Sequence, residues 1–277
     1  MTLPGKKPAG GPEQRKHSRY QINPTFPIKT LLSLRDKNVK LSAAPHGRVA
    51  LRVPGAGWKD WPGTLVDLSA TGANIHVNLA AVAFADDPCR MKFSLGSYHI
   101  EIPASVVHFV SYSHYAVCGV QFNFPDAETE RSFMQVLEPV IIGTSLAPVD
   151  PAQEGLAPGR EMYAGKNSSR LVITRSPTGG ELTGFDFRLN KYGVKWSSGM
   201  TELRTYGVPA ETSDPAKAKP VLKLKLKTNE KPEVSATGLL TEVQEEEARW
   251  LFCLAVSNLA PAVAEDVRKF LLSLVVA

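Results

Sequence analysis

The chain has 277 residues, 43% of them hydrophobic and 21% charged, which suits two folded units, since one hydrophobic core usually serves about 100 to 150 residues. No apolar run approaches the roughly 18 residues needed to cross a bilayer, and the N-terminal MTLPGKKPAGGPEQRKH lacks the apolar centre of a secretory signal, so the expectation is a soluble, cytoplasmic protein with no transmembrane segment. Cys89, Cys118 and Cys253 are far apart with no CxxC pair, which argues against a disulfide framework and a zinc site.

The net charge of +5 is concentrated at one end: residues 1–40 hold nine cations against two acids, and the remainder is slightly acidic. Such an arm points to an anionic partner, whether phosphorylated ligand, nucleic acid or membrane surface. Lys6 and Lys7, set among Pro and Gly, read instead as a solvated tail, and residues 1–13 are taken as a flexible basic arm. Next come PIKTLLSL, GRVALRV, GTLVDL, ANIHVNL, KFSLGSYHIEI, SVVHFV and YAVCGVQF, short apolar or alternating runs bounded by turn residues. They predict strands of an antiparallel sheet or barrel, with residues 34–46 as a polar loop. Pro125 and Asp126 then open a helix whose Phe133, Leu137, Val140 and Ile141 share one face.

Residues 143–160, rich in Pro, Gly and Ala without a period, read as a linker. A second unit over 161–277 offers SRLVITR, ELTGFDFRL, YGVKWSS, PVLKLKLK, EVSATGLLTEV and RWLFCLAVSNL as strand-like runs, with a polar loop at 210–220. It ends in a helix after Pro261 that aligns Val263, Val267, Phe270, Leu271 and Leu274. The repeated order of elements predicts a tandem architecture.

Two short motifs carry the chemistry. Arg15 and Arg19 form an RxxxR just before the first strand; guanidinium forks suit phosphate oxygens or a guanine edge and can stack on a base. Asp67-Leu68-Ser69-Ala70-Thr71-Gly72 is a DxSxxG between two strands, which alone is accounted for by a tight turn with Gly72 supplying a positive φ. A tight turn does not account for the company it keeps, an upstream RxxxR, a downstream CGVQF strand and a closing amphipathic helix.

That combination, over residues 14–142, resembles the PilZ family of cyclic di-GMP receptors. The resemblance implies a six-stranded antiparallel β-barrel with a flanking helix, and an arm folded over ligand on the barrel surface. It implies that Arg15 and Arg19 hold phosphate and guanine, that Asp67 and Ser69 bond the guanine edge, and that Gly72 lets the turn lie close to the ligand. The Arg19-to-Asp67 separation is longer than in a compact member, which implies an insertion near residues 36–60 holding Trp58 and Trp61, as a lid, a partner surface or a cap. Counted back from Gly193, the second unit shows Arg188, Asn190 and Gly193, an RxNxxG with no RxxxR before it. It reads as a degenerate PilZ-like domain, so the expected fold is mainly β, two tandem six-stranded barrels each closed by a C-terminal helix.

GKNSS at 165–169 fails as a P-loop at Asn167 and Arg160, the six histidines have no metal-ligand spacing, and no nucleophile stands beside a base. Glu245, Glu246 and Glu247 read as a charged turn. The function expected is that of a non-enzymatic receptor and adaptor. Cyclic di-GMP would be its ligand and an unidentified protein effector in motility or exopolysaccharide control its outlet, with no DNA and no metal. The alternative is a β-barrel nucleic-acid module using the same arm, although the aromatics interleaved with its charges are sparse.

Overall fold

The computed structural model describes residues 17–44, 47–150, 157–178, 180–208 and 240–276, with the backbone alone for 36–44 and 47–56. Apolar residues at every second position build the first sheet: Ala73, Ile75 and Val77 point inward from one strand, Cys89, Met91 and Phe93 from another. Its strands are β1 (Tyr20–Gln21), β2 (Lys29–Ala44), β3 (Gly47–Ser69), β4 (Gly72–Val77), β5 (Pro88–Leu95), β6 (Tyr98–Ser111) and β7 (Ala116–Phe122). The order is β1-β3-β2-β5-β6-β7-β4, and a further β3–β4 pairing closes six of the strands into an antiparallel barrel. Bulges between Arg35 and Lys37, Leu65 and Asp67, and Val106 and His108 supply local curvature.

The region expected as a polar loop at 34–46 is strand as far as Ala44, paired with β3 down to Ala44↔Gly47. The reason is in the pattern, since Val39 and Leu41, then Val49, Leu51 and Val53, alternate with period two. The insertion is therefore a lengthened hairpin ladder, and Trp58 and Trp61 stand on β3, with Arg90 4.5 Å from the centre of the Trp58 ring and Lys59 4.3 Å from that of Trp61.

Helix α1 (Ala127–Ser145) starts at the N-cap Asp126, whose carboxylate accepts from the Thr129 N–H at 2.7 Å. Its buried Phe133 meets Phe93, Phe122 and Phe124 on the barrel. Burial within the barrel pushes the Cys89 and Cys118 thiols up to about 12, so neither forms a thiolate at neutral pH.

The second sheet contradicts the expected second barrel. Strands β8 (Ala147–Val149), β9 (Arg160–Ala164), β10 (Arg170–Arg175), β11 (Leu182–Leu189), β12 (Tyr192–Ser197) and β13 (Arg204–Gly207) form a meander whose edges β8 and β13 do not meet. The RWLFCLAVSNL run, read as a strand, lies mostly in helix α2 (Glu242–Val256), where Ala248, Phe252, Ala255 and Val256 are buried at i, i+4, i+7 and i+8. A capping box between Thr241 and Gln244 starts that helix, and Glu245–Glu247 occupy its first turns, where the helix dipole favours acids. With that run helical, α2 covers one face of an open sheet together with α3 (Glu265–Val276) and the end of α1. PVLKLKLK, the 210–220 loop and most of EVSATGLLTEV lie outside the described residues.

Residues of the expected linker belong to structure at both ends, 143–145 to α1 and 147–149 to β8 at one, Arg160 to β9 at the other. Helices α1 and α2 cross at Gly143, where a Cβ would run into the Ala255 carbonyl oxygen, and the Ala260 N–H donates to the Gly143 oxygen at 2.9 Å. Leu254 joins the barrel's core while Phe252, Ala255 and Val256 join the other, so α2 is shared by both.

Candidate functional site

The site is set by a two-residue turn. Ala70 and Thr71 join β3 to β4 and pair Ser69 with Gly72, Leu68 with Ala73 and Asp67 with Asn74. Alternation sends Leu68 and Ala73 into the core, fully buried, and puts Asp67, Ser69 and Asn74 on the outer face. The short strand β1 lies along β3 at the same level, pairing Tyr20 with Leu68 and Gln21 with Asp67, and the Ile22 N–H donates to the Val66 oxygen at 2.9 Å. That register delivers Arg19 onto Asp67, Nη1 to Oδ1 2.9 Å, across 48 residues of chain.

Asp67 is only 6% exposed, and its other oxygen accepts from Asn74 Nδ2 at 2.6 Å, so both oxygens are satisfied. Ser69 Oγ donates to the Gly72 oxygen at 3.1 Å, which tightens the turn. Gly72 does not have the positive φ that a turn glycine was expected to supply. It is needed because a Cβ would collide with the Val120 carbonyl of β7. Arg15 lies outside the described residues.

Residues 13–138 match the PilZ domain. The matched segment takes in the arm, the closed barrel and most of α1, a little under half of the chain, and supports a single PilZ domain; the second sheet lies beyond it. No curated protein matches the chain. PilZ domains are non-catalytic signalling and adaptor modules, and the match together with the barrel supports a role in cyclic di-GMP binding and signalling in general. Among the described residues no helix is long and apolar enough to cross a membrane, and no cluster of His, Cys, Asp or Glu is placed to hold a metal.

Asn74 is an outer-face residue of the barrel that motif spacing overlooked. Its Oδ1 is buried with no hydrogen-bond partner among the described residues, a spare acceptor beside Asp67. The signal was present, because a two-residue turn between positions 69 and 72 places 74 opposite 67. The same row continues through Gly119 to His108, whose imidazole lies where a Cβ on Gly119 would be, and His76 packs at a tilt against Tyr115 with ring centres 4.4 Å apart.

The arm is also tied to the second unit. The Asn23 N–H donates to Asn258 Oδ1 at 3.0 Å, and Asn258, just beyond α2, donates through Nδ2 to the Leu254 oxygen at 3.2 Å. Among the described residues the second sheet has no turn that presents polar groups as the Ser69–Gly72 turn does. Its β11–β12 turn pairs Leu189 with Tyr192, so positions counted from the turn to match Asp67 and Ser69 are Phe187 and Leu189, both core-facing. The RxNxxG count from Gly193 runs one residue out of step with that register.

Proposed function

We propose that the PilZ barrel binds cyclic di-GMP at Asp67, Ser69 and Gly72, with Arg15 and Arg19 supplied by the arm, and that the chain acts as a receptor signalling to a protein effector. The observation that carries this reading is the meeting of Arg19 with Asp67 on the outer face of the barrel. A carboxylate that accepts from a guanidinium accepts equally from the N1–H and exocyclic amine of guanine, and the freed guanidinium then turns to phosphate. Ligand thus exchanges one set of partners for another and leaves no buried charge unpaired. Asn74 Oδ1 offers a further acceptor at the same edge.

The route outward runs through the arm. Asn23 is four residues from Arg19 and is held by Asn258, so a change in the arm acts on the end of α2 and through it on the second core. A ligand shifts that arrangement only by its difference in affinity for the two states. Calorimetry of the full chain tests the binding step: cyclic di-GMP gives saturable heat, and Arg15→Ala, Arg19→Ala and Asp67→Ala each weaken it roughly 10- to 100-fold, the worth of one charge-assisted hydrogen bond. Unchanged affinity in these variants, or no heat with the wild type, overturns the reading.

A further inference from the structure

The face of the second sheet turned away from the helices carries a cluster of exposed cations. Alternate residues of β9 to β13 point to opposite faces, and Leu171, Ile173, Phe185, Phe187 and Val194 fill the covered one. On the other face the register sets Arg170 opposite Arg188 and, one row along, Asp186 opposite Lys195 opposite Arg204, with Arg160 opposite Thr174 at the end. All five cations are exposed. Asp186 is the one carboxylate on this face among the described residues, and it already accepts from the Tyr206 hydroxyl.

Two cross-strand pairs, Arg170 with Arg188 and Lys195 with Arg204, therefore place like charges directly opposite each other, which costs stability. A face that was merely solvated would have no need of that register. The cations reach from β9 to β13, four strand spacings or about 19 Å, and between them lies a groove of about 410 Å³ lined by Arg160, Asp186, Arg188, Lys195 and Met200. A multivalent, extended anion fits that spread, whereas a free phosphate would meet one or two of the charges.

We propose that this face docks an acidic protein segment. Guanidinium forks match carboxylates, and four of the five cations are arginines. A nucleic-acid strand would need an open aromatic platform, and Tyr206, the ring that strand alternation places on this face among the described residues, is engaged by Asp186 and by Lys195, 5.3 Å from its centre. The chain does not supply the acids itself: residues 209–239 hold six lysines against four acids, and residues 1–40 nine cations against two. The surface stands apart from the PilZ site and does not depend on how that site is read.

The test uses the full chain and fluorescent poly-L-glutamate at low salt, followed by anisotropy. Wild type binds, and the double variant Arg170→Glu/Lys195→Glu binds at least tenfold more weakly, since both reversed positions then repel carboxylates. Arg170→Gln/Lys195→Gln gives an intermediate affinity and provides the comparison if the reversal variant folds poorly. Affinity equal in wild type and both variants places binding elsewhere, on the basic arm, and overturns the proposal; so does absent binding, or tighter binding of a single-stranded oligonucleotide than of poly-L-glutamate. Cyclic di-GMP titration of the same variants reports separately on the barrel.

Discussion

In the first sheet β3 is long enough to pair with β2 along one stretch and with β4 along another, so the ring closes; in the second, the edges β8 and β13 stay apart and helices do the covering. Closure spends the inner face of the barrel on its own core and leaves Asp67, Ser69 and Asn74 on the outer face, beside Arg19. The open sheet spends one face on α2 and α3 and leaves the other, which carries exposed cations. One tight turn is thus put to two uses: in the barrel the positions flanking it point polar groups outward, and in the open sheet the matching positions, Phe187 and Leu189, are core.

Four experiments break or sharpen this contrast. The largest effect is expected at Phe252, buried beside Phe185 and Phe187 with no solvent contact. Phe252→Ala should cost about 3–5 kcal/mol in urea unfolding. Because Leu254 on the same helix lies in the barrel core, both sheets should still melt in one transition; two transitions would make them independent units. Gly72→Ala should follow at about 3 kcal/mol, since the obstruction is the fixed Val120 carbonyl. Gly193→Ala should cost about 1 kcal/mol, because the end of the Tyr206 ring can swing aside. Equal losses would remove the distinction between a closed and an open sheet at this turn.

Asn258→Ala, which strips the Asn23 N–H of its acceptor, should destabilise by about 1 kcal/mol. It should also change cyclic di-GMP affinity a few-fold, measured by calorimetry, although the residue lies outside the PilZ face. The smallest effect is electrostatic. The Arg175 guanidinium, hydrogen-bonded to Asp266 at 2.7 Å, holds that carboxyl below the usual carboxylate range. A lowered folded value means the contribution is present above the unfolded value of about 4 and is lost as pH falls through the folded one. The Asp266 side chain is 55% exposed, so screening limits Asp266→Asn to about 1 °C in Tm at pH 7. Variant and wild type should converge as the pH falls below that lowered folded value.

Much of the barrel was legible because period-two burial is written directly in runs such as Ala73, Ile75 and Val77, and because Pro125 and Asp126 announce α1. The strands β10, β11 and β12 were likewise legible in SRLVITR, ELTGFDFRL and YGVKWSS, but that their sheet stays open was not. An apolar run as short as RWLFCLAVSNL serves a strand or a helix equally well, and its deciding signal, the Thr241–Gln244 capping box, lies nine residues upstream of Trp250 at its first member. At the candidate site, motif spacing named Arg19 and Asp67, but their contact comes from the register of β1 on β3, which no local pattern encodes. The need for Gly72 likewise arises from β7, about 48 residues further along the chain.

The hydrogen bond from Asn23 to Asn258 also works as a leash. Arg15 is eight residues from that anchor, and eight residues of fully extended chain span at most about 28 Å. If Arg15 contacts the ligand as proposed, that tether presents it to the outer face where Arg19 meets Asp67 at an effective concentration in the millimolar range. Under the proposed binding, adding a few Gly-Ser residues between Arg15 and Arg19, upstream of the β1–β3 pairing, would dilute Arg15 without disturbing that ladder, and the drop in cyclic di-GMP affinity would measure how much of the binding is supplied by tethering.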